Sequence, residues 1–296
     1  MPICVPVDCQ SYFQVPYEEC IVKYGFIATF TQTMDETLAL AELTERHGWD
    51  GFFTWDGISV GPMPTWDQWV TLGAVATRTS RVTLGAIVHP LSRRRPWKVV
   101  REALTVDHLS GGRLVIPVAM GAVDDGGLSR VHPEVTDLRE RAARLDETLE
   151  IMKLAWRGES FSYEGVHYQM EDMVFQPTPV NGDIPIWVVG AWPSERSMGR
   201  AAKYEGVLPS LRGNTETQLG PEHIAEIKTW IAERRGDNTP FEIVMEGTTP
   251  GDDPNAIRRQ LQPLADAGAT WWIESMWEGG VDFDALKRRI EQGPPR

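Results

Sequence analysis

Residues 79–121, TSRVTLGAIVHPLSRRRPWKVVREALTVDHLSGGRLVIPVAMG, predict a strand, a loop, a helix, a tight turn and a second strand. Apolar side chains alternate through 82–88, as they do in a strand. Pro96 suits the first turn of a helix, and the glycines of 110–112 suit its end. The apolar face of this helix is predicted to contain Trp97, Val100, Ala103, Leu104 and Leu109.

A strand that returns through a helix to another strand is the βαβ unit of parallel sheets. Ligands of such sheets bind where the strands end, at their carboxyl edge. We therefore expect functional residues in 87–89 and 120–123.

Composition narrows the class of protein. The chain has 296 residues, is 42% hydrophobic and carries a formal net charge of −13 at pH 7, which argues against nucleic acid or an anionic membrane as partner. It shows neither a transmembrane run nor a signal-peptide pattern, so we expect a cytoplasmic location. Cys4, Cys9 and Cys20 fit no zinc spacing and are interpreted as free thiols, and no metal site is predicted.

Strand and helix patterns alternate from residue 23 to the end, whereas residues 1–22 have no clear period and are interpreted as an N-terminal extension. Thr33 with Glu36, and Thr65 with Gln68, predict capping boxes for the first two helices. A later long helix is expected to start at Thr136 or Asp137, with one face formed by Leu138, Leu145, Leu149 and Met152. Further strands are predicted at 24–28, 51–55, 186–190, 206–209, 241–247 and 270–275.

These elements make up eight βα units, with a hairpin at 161–174, turning at Glu164-Gly165, inserted before the fifth strand. Eight parallel strands in roughly this length predict a (β/α)8 TIM barrel, about 250 residues in typical cases, as one domain over 23–296. The rival, a doubly wound open sheet, needs a glycine-rich turn after the first strand, and ATFTQ at 28–32 is not one.

Several stretches resemble the luciferase-like family of flavin-dependent oxidoreductases, which includes alkanal and alkanesulfonate monooxygenases and deazaflavin-dependent reductases and dehydrogenases. The resemblance covers about residues 23–291. It is carried by TRTSRVTLGAIV, RRRPWK and VDHLSGGR within 77–113, by LDETLEIMKLAWRGESFSYEGVHYQ at 145–169, by PIWVVGAWPSERSMGRAAKYEGVLP at 185–209, and by HGWDGFFTWD at 47–56.

The resemblance implies a flavin lying across the strand ends, commonly in a homodimer. The favoured function is an FMN-dependent monooxygenase of a small organic substrate, with a flavin reductase as a partner compatible with it. The first alternative is a hydride-transfer reductase or dehydrogenase that uses the deazaflavin coenzyme F420. The second is a flavin-binding barrel without turnover. A non-redox aldolase or hydrolase has no support, because no catalytic lysine, metal cluster or G-x-S-x-G motif is found.

In the family pattern, the turn after the fifth strand holds the cofactor phosphate. Gly190 would allow close approach, and the Ala191 backbone and the Ser194 hydroxyl would contact the phosphate at a helix N-terminus. Ser194 would otherwise be a simple helix cap. Trp192 stands where many relatives have glycine, and both a pocket wall and outward packing stay open.

The end of the third strand corresponds to a bulge behind the flavin ring, so a non-proline cis peptide is predicted at Ile87–Val88. His89 follows and is a candidate proton donor or ring contact, with a structural loop role as the alternative. At the end of the fourth strand, Gly121 is a further predicted cofactor contact, and Pro117 predicts a bulge because it cannot donate to the ladder.

Asp56 ends the second strand and is a candidate catalytic or substrate-binding residue, with loop capping as the alternative, and Trp55 is expected to line the substrate pocket. Relatives usually have histidine next, whereas this chain has Gly57, which argues against luciferase-type and sugar-phosphate-dehydrogenase-type chemistry. The basic run 93–95 either contacts an anionic cofactor tail or forms a solvated loop. The carboxylates at 124–125 either replace an acidic residue that some relatives have after the fourth strand or are solvated residues of the loop.

Overall fold

The structure is a computed structural model that describes residues 22–31, 33–123, 127–213, 219–236, 239–278 and 281–295. The predicted N-terminal extension, except Val22, and the carboxylates at 124–125 lie outside these ranges. The strands are β1 Lys23–Ile27, β2 Gly51–Thr54, β3 Thr83–Ala86, β4 His89–Pro90, β5 Ile116–Ala119, β6 Phe161–Glu164, β7 Gln169–Met173, β8 Ile186–Trp192, β9 Gly206–Leu211, β10 Glu242–Gly247 and β11 Trp271–Glu274. The helices are α1 Met34–Arg46, α2 Gln68–Arg78, α3 Pro96–Ser110, α4 Leu138–Ala155, α5 Glu195–Ala201, α6 Pro221–Arg235, α7 Pro254–Ala267 and α8 Phe283–Glu291, with a 3₁₀ turn at Leu91–Arg93.

Strands other than β6 and β7 form one parallel sheet in the order β3-β2-β1-β11-β10-β9-β8-β5-β4. β3 and β4 are two halves of one barrel strand, and Leu84 in β3 also bridges to Leu114 just before β5. The sheet thus closes on itself with helices following the strands. This confirms the predicted (β/α)8 barrel.

The third barrel strand contains a bulge between β3 and β4. Four residues lie between Leu84 and His89, whereas three lie between their partners Leu114 and Val118 on the neighbouring strand. The extra residue falls at the Ile87–Val88 peptide bond, which is cis as predicted. The bulge lies in this strand rather than in β5, where Pro117 pairs in regular register with Trp187. Because Pro117 has no N–H to offer, it suits a place beside an interrupted ladder.

The barrel interior is filled by aromatic rings at the amino-terminal half of the strands. Phe53 lies 6.0 Å from both Trp187 and Trp271, and the two indoles are 5.3 Å apart. Glycines make the room: a Cβ on Gly51 would lie 2.8 Å from the Phe53 ring, and one on Gly206 would lie 2.6 Å from Trp187. These rings fill the middle of the barrel, and ligands of such barrels bind at the carboxyl ends of the strands.

The structure corrects several local predictions. α2 is capped by Asp67, whose carboxylate accepts the Val70 N–H, while the Thr65 hydroxyl bonds to the nearby Met63 carbonyl. The predicted capping box at Thr33 is present, as is the cap at Asp137. Three side chains assigned to apolar helix faces are exposed: Trp97, Leu109 and Leu138.

The predicted hairpin is present as β6 and β7, but its turn is longer than two residues. Glu147 on α4 holds this turn, because its carboxylate accepts the N–H groups of Val166, His167 and Tyr168 at 2.9–3.1 Å. The hairpin is therefore fastened to the barrel wall by one side chain that the sequence pattern did not single out.

Candidate functional site

The carboxyl ends of the barrel strands form a rim, and we call its interior-facing residues the mouth. Successive residues of a strand face opposite sides, and Val244 and Ile273 belong to the interior cluster. Alternation therefore turns Glu246 inward, and its register partner is Ile273. Two strands away, on β8, Ala191 faces inward and pairs with Ser210 of β9.

The bulged third strand contributes Ile87 and Val88 to this interior. Ile87 belongs to the interior apolar cluster, and Val88 packs partly buried against it. The Ile87 N–H donates to the Thr54 carbonyl, which ties the bulge to β2. The structure thus puts both predicted cofactor contacts on the inner wall of the barrel.

His89 points away from the mouth. Its ring is fully buried and stacks on Trp69 with centroids 4.5 Å apart. Arg94 donates to Gln68 Oε1, so the Gln68 amide nitrogen faces His89 Nδ1 at 3.3 Å and the imidazole proton lies on Nε2. Burial, reinforced by the charge of Arg94, lowers the pKa of His89 to about 3. His89 is therefore a neutral structural residue, which corrects its prediction as a proton donor or ring contact.

Asp56 is also engaged internally. Its carboxylate is 1% exposed and accepts from Arg93 at 3.0 Å and from Arg94 at 2.9 Å. Burial raises the pKa of Asp56, and the two guanidinium groups oppose that shift. This corrects the prediction that Asp56 acts on substrate. Arg93 and Arg94 are paired with Asp56, so the structure shows them neither in a solvated loop nor free to bind an anionic cofactor tail. The remaining member of the run, Arg95, is exposed and lies over Trp97 at 6.0 Å.

The turn after β8 is built as a capped helix start. Ser194 is the N-cap of α5, and its hydroxyl accepts the Ser197 N–H while keeping its own proton to donate. The Ala191 N–H donates to Ser197 Oγ at 2.9 Å, so the donor predicted for a phosphate is already used. A Cβ on Gly190 would lie 2.7 Å from Met198 Sδ, so this glycine admits the α5 side chain rather than a ligand.

Two further predicted contacts have packing roles. Trp192 turns outward, with its ring 6.3 Å from Trp230 on α6, which decides between the two orientations left open by the sequence. Gly121 has a φ of +83°, and a Cβ there would lie 2.8 Å from Pro90, so only glycine fits where the chain after β5 passes Pro90. Its carbonyl accepts from Arg141 at 2.7 Å.

Trp55 follows β2 at the mouth, and it forms an aromatic corner with Phe30 and Trp277. The Trp277 ring is 6.3 Å from Trp55 and 6.0 Å from Phe30, both edge to face. The Trp55 N–H donates to the Thr29 carbonyl at 2.6 Å, which fixes its ring. Trp277 is 42% exposed, so the corner presents apolar surface to a ligand.

Glu246 is the residue that sequence reasoning missed. It accepts the indole N–H of Trp277, which attaches it to the aromatic corner. The signal was available in the segment FEIVMEG, where alternation puts a carboxylate on the same side as the buried Val244. An acidic side chain facing a barrel interior at a strand end is a candidate functional residue.

The described ranges contain no group of three or more His, Cys, Asp or Glu residues arranged to hold a metal ion. In the same ranges, no helix is long and apolar enough to cross a membrane.

Comparison with known proteins places this geometry in context. A family model described as luciferase-like monooxygenase matches residues 22–290. An F420-dependent glucose-6-phosphate dehydrogenase of Segniliparus rotundus is 31% identical over 306 aligned positions, covering 91% of this chain and 88% of that protein. A similarly named protein of Nakamurella multipartita is 30% identical, but the match covers 66% of this chain and only 59% of the relative. A solved monooxygenase from Streptomyces bottropensis shares the fold with a TM-score of 0.76 and 18% identity, covering 92% of this chain and 97% of that one.

Proposed function

The chain belongs to the luciferase-like monooxygenase family, and from this premise we propose that it transfers a hydride between a deazaflavin coenzyme of the F420 type and a small organic substrate. The observation that carries the proposal is the similarity, over most of both chains, to a relative named as an F420-dependent dehydrogenase. The sequence alone favoured an FMN-dependent monooxygenase. That function is now the second candidate, supported by the family's description.

The site has a donor set that fits an anionic cofactor group. Ser194 has a free hydroxyl proton, and the N–H groups of Glu195 and Arg196 lie in the first turn of α5, where a helix supplies no internal partner. The exposed Arg196 adds a positive charge to this turn. We assign the cofactor phosphate to these groups, with Ser194 retained from the sequence analysis and Arg196 replacing the Ala191 backbone.

The remaining roles divide between the inner wall and its supports. A bound deazaflavin supplies the ring carbon that exchanges a hydride with substrate. Ile87 and Val88 form the apolar wall against which a flat ring can rest, and Trp55 excludes water from one side. The ion pairs of Asp56 hold the loops after β2 and β4 together, so this support acts on geometry rather than on substrate.

The decisive experiment titrates the purified, cofactor-free protein with oxidised and reduced coenzyme F420 and with oxidised and reduced FMN, following tryptophan fluorescence. Phosphate-free deazariboflavin is the matched control ligand. We expect F420 to bind more tightly than FMN, and more tightly than deazariboflavin because the phosphate contributes charge-assisted hydrogen bonds. Tight binding of reduced FMN with no response to F420 would instead establish the monooxygenase candidate. Binding of neither would overturn both and favour a barrel without redox turnover.

The expected homodimer stays a prediction, and light scattering of the purified protein measures it directly. The flavin reductase, a partner compatible with the FMN-dependent monooxygenase, is not required for hydride transfer with F420.

A further inference from the structure

We propose that the amino-terminal end of the barrel is a second ligand site, and that its ligand is an uncharged planar aromatic molecule with a hydrogen-bond acceptor. The site is a cavity of about 610 Å³, which we call the amino-end cavity. Its lining includes the first residues of β1, β3, β10 and β11, so it lies at the opposite end of the strands from the mouth. The volume falls within the roughly 300–1,000 Å³ of sites that bind small molecules.

The floor of the amino-end cavity is apolar and aromatic. Trp187, Trp271 and Val115 belong to the interior cluster and are each less than a tenth exposed. The two indole rings lie 5.3 Å apart and are tilted by 56°, and Pro185 and Pro240 add apolar surface to the sides. Large apolar rings of this kind favour a flat aromatic ligand, which can pack against them by stacking or by edge contact.

The floor also carries hydrogen-bond donors. The indole N–H groups of Trp187 and Trp271 have no acceptor among the residues that the structure describes. The pyrrole edge of Trp187, which bears its N–H, lies beside the start of β9, because a Cβ on Gly206 would be 2.6 Å from Trp187 Cδ1. Thr83 adds a hydroxyl to the lining. Buried indole N–H groups usually have a partner, so a ligand with an acceptor oxygen or nitrogen complements this floor.

The charged groups of the lining balance one another. Two cations, Lys23 and Arg235, are matched by two carboxylates, Glu205 and Glu242. Lys23 binds Glu242 at 2.8 Å, and Glu205 binds Lys153 at 2.9 Å. Arg235 donates to two backbone carbonyls. An ionic ligand would add an unbalanced charge to this lining, whereas an uncharged ligand preserves the balance.

Three naphthalene probes of nearly identical shape test the ligand class on the full-length protein at pH 7. 2-Naphthamide is uncharged and has an acceptor oxygen, 2-naphthoate is an anion, and 2-naphthamidine is a cation without an acceptor. Calorimetry should give one molecule of 2-naphthamide per chain, bound at least ~10-fold more tightly than either ion, because only the amide combines an acceptor with zero charge. Saturating F420 or FMN should not displace it, because those cofactors are assigned to the other end of the barrel.

Two variants of the ion pair locate the binding. Lys23→Met leaves the Glu242 carboxylate without its partner, so we expect 2-naphthamidine to gain affinity by at least ~5-fold and 2-naphthoate to lose affinity. Glu242→Gln leaves the Lys23 ammonium alone and should reverse these two effects. Affinity for 2-naphthamide should change by less than ~3-fold in both variants. Glu42→Gln is the matched control, because it breaks an ion pair with Arg78 on the outer helices and should leave all three affinities at wild-type values.

Lys23 and Glu242 are both partly exposed, so both variants should fold, and thermal unfolding checks this. Absence of 2-naphthamide binding to the wild type, tighter binding of either ion, displacement by a cofactor, or one probe per two chains would each overturn the inference. So would folded charge variants in which the relative affinities of the two ionic probes are unchanged.

Discussion

At the scale of single residues, Asp56 decides what its neighbours can do. Its carboxylate binds both Arg93 and Arg94, and Arg94 then orients the Gln68 amide that faces His89. An aspartate, arginines and a histidine, which in a sequence suggest catalytic chemistry, therefore bind within one buried network. Buried charges are retained in proteins when they are paired in this way.

His89 should make the protein less stable in mild acid. Its pKa in the folded state, about 3, lies below the ordinary value of 6.5, so the unfolded chain binds the proton first. The free energy of unfolding should consequently fall as pH drops below 6.5, by up to ~1.4 kcal/mol per pH unit from this group. His89→Gln should flatten the slope measured by urea unfolding just below pH 6.5, whereas the exposed His132→Gln should leave it unchanged. Equal slopes in His89→Gln and wild type would show that His89 is protonated in the fold.

Ser194 has two separable roles, a helix cap and a phosphate donor. Ser194→Ala removes both, and we expect about tenfold weaker F420 binding from the lost charge-assisted hydrogen bond. Ser194→Asp preserves the cap, because aspartate is a good N-cap residue, but its charge repels a phosphate. Thermal unfolding should therefore be near wild type for Ser194→Asp while F420 binding is lost. Wild-type coenzyme affinity in Ser194→Asp would remove Ser194 from the site.

At the scale of elements, the structure shows which side chains hold each predicted helix or hairpin in place. The N-terminus of α2 is capped by Asp67 rather than by the predicted Thr65, because the Asp67 carboxylate reaches the Val70 N–H. The hairpin β6–β7 has only weak local turn chemistry and depends on Glu147 from α4. Both elements were predicted correctly, whereas the cap of α2 was assigned to the wrong residue and the contact with Glu147 was not predicted.

Removing the Glu147 carboxylate should loosen the hairpin without unfolding the barrel. Glu147→Ala deprives the amides of Val166, His167 and Tyr168 of their acceptor, at a cost of about 1–3 kcal/mol. Hydrogen exchange of these three amides should accelerate, and exchange in the barrel strands should not. Glu159→Ala, an exposed glutamate outside this contact, is the control. Protection of the turn amides equal to wild type would contradict the anchoring role.

At the scale of the whole molecule, the barrel interior is packed with aromatic rings. Phe53, Trp187 and Trp271 fill the lower interior, and glycines at the strand starts leave room for their rings. Close packing of this kind tolerates little added volume.

An added methyl group at this core should therefore destabilise the whole fold. Gly51→Ala would bring a Cβ to 2.8 Å from the Phe53 ring and 3.0 Å from Trp271, so we expect a loss of about 1–3 kcal/mol. Gly199→Ala is the matched control, because no heavy atom lies within 4 Å of its Cβ position, and in helix α5 it should be neutral or slightly stabilising. Thermal unfolding measures both. A Gly51→Ala protein as stable as wild type would show that the aromatic cluster can shift.

The sequence by itself determined the order of elements, the barrel, the hairpin, the family and the position of the cis peptide at Ile87–Val88. These follow from periodicity, helix-end residues and long motifs, all of which are encoded locally. Only the tertiary structure decided that Asp56 is paired with two arginines, that His89 is buried against Gln68 and Trp69, that Trp192 turns outward, and that Glu246 faces the mouth. Those outcomes depend on which strand ends become neighbours when the barrel closes, and a titratable side chain acquires its role from partners far away in the chain.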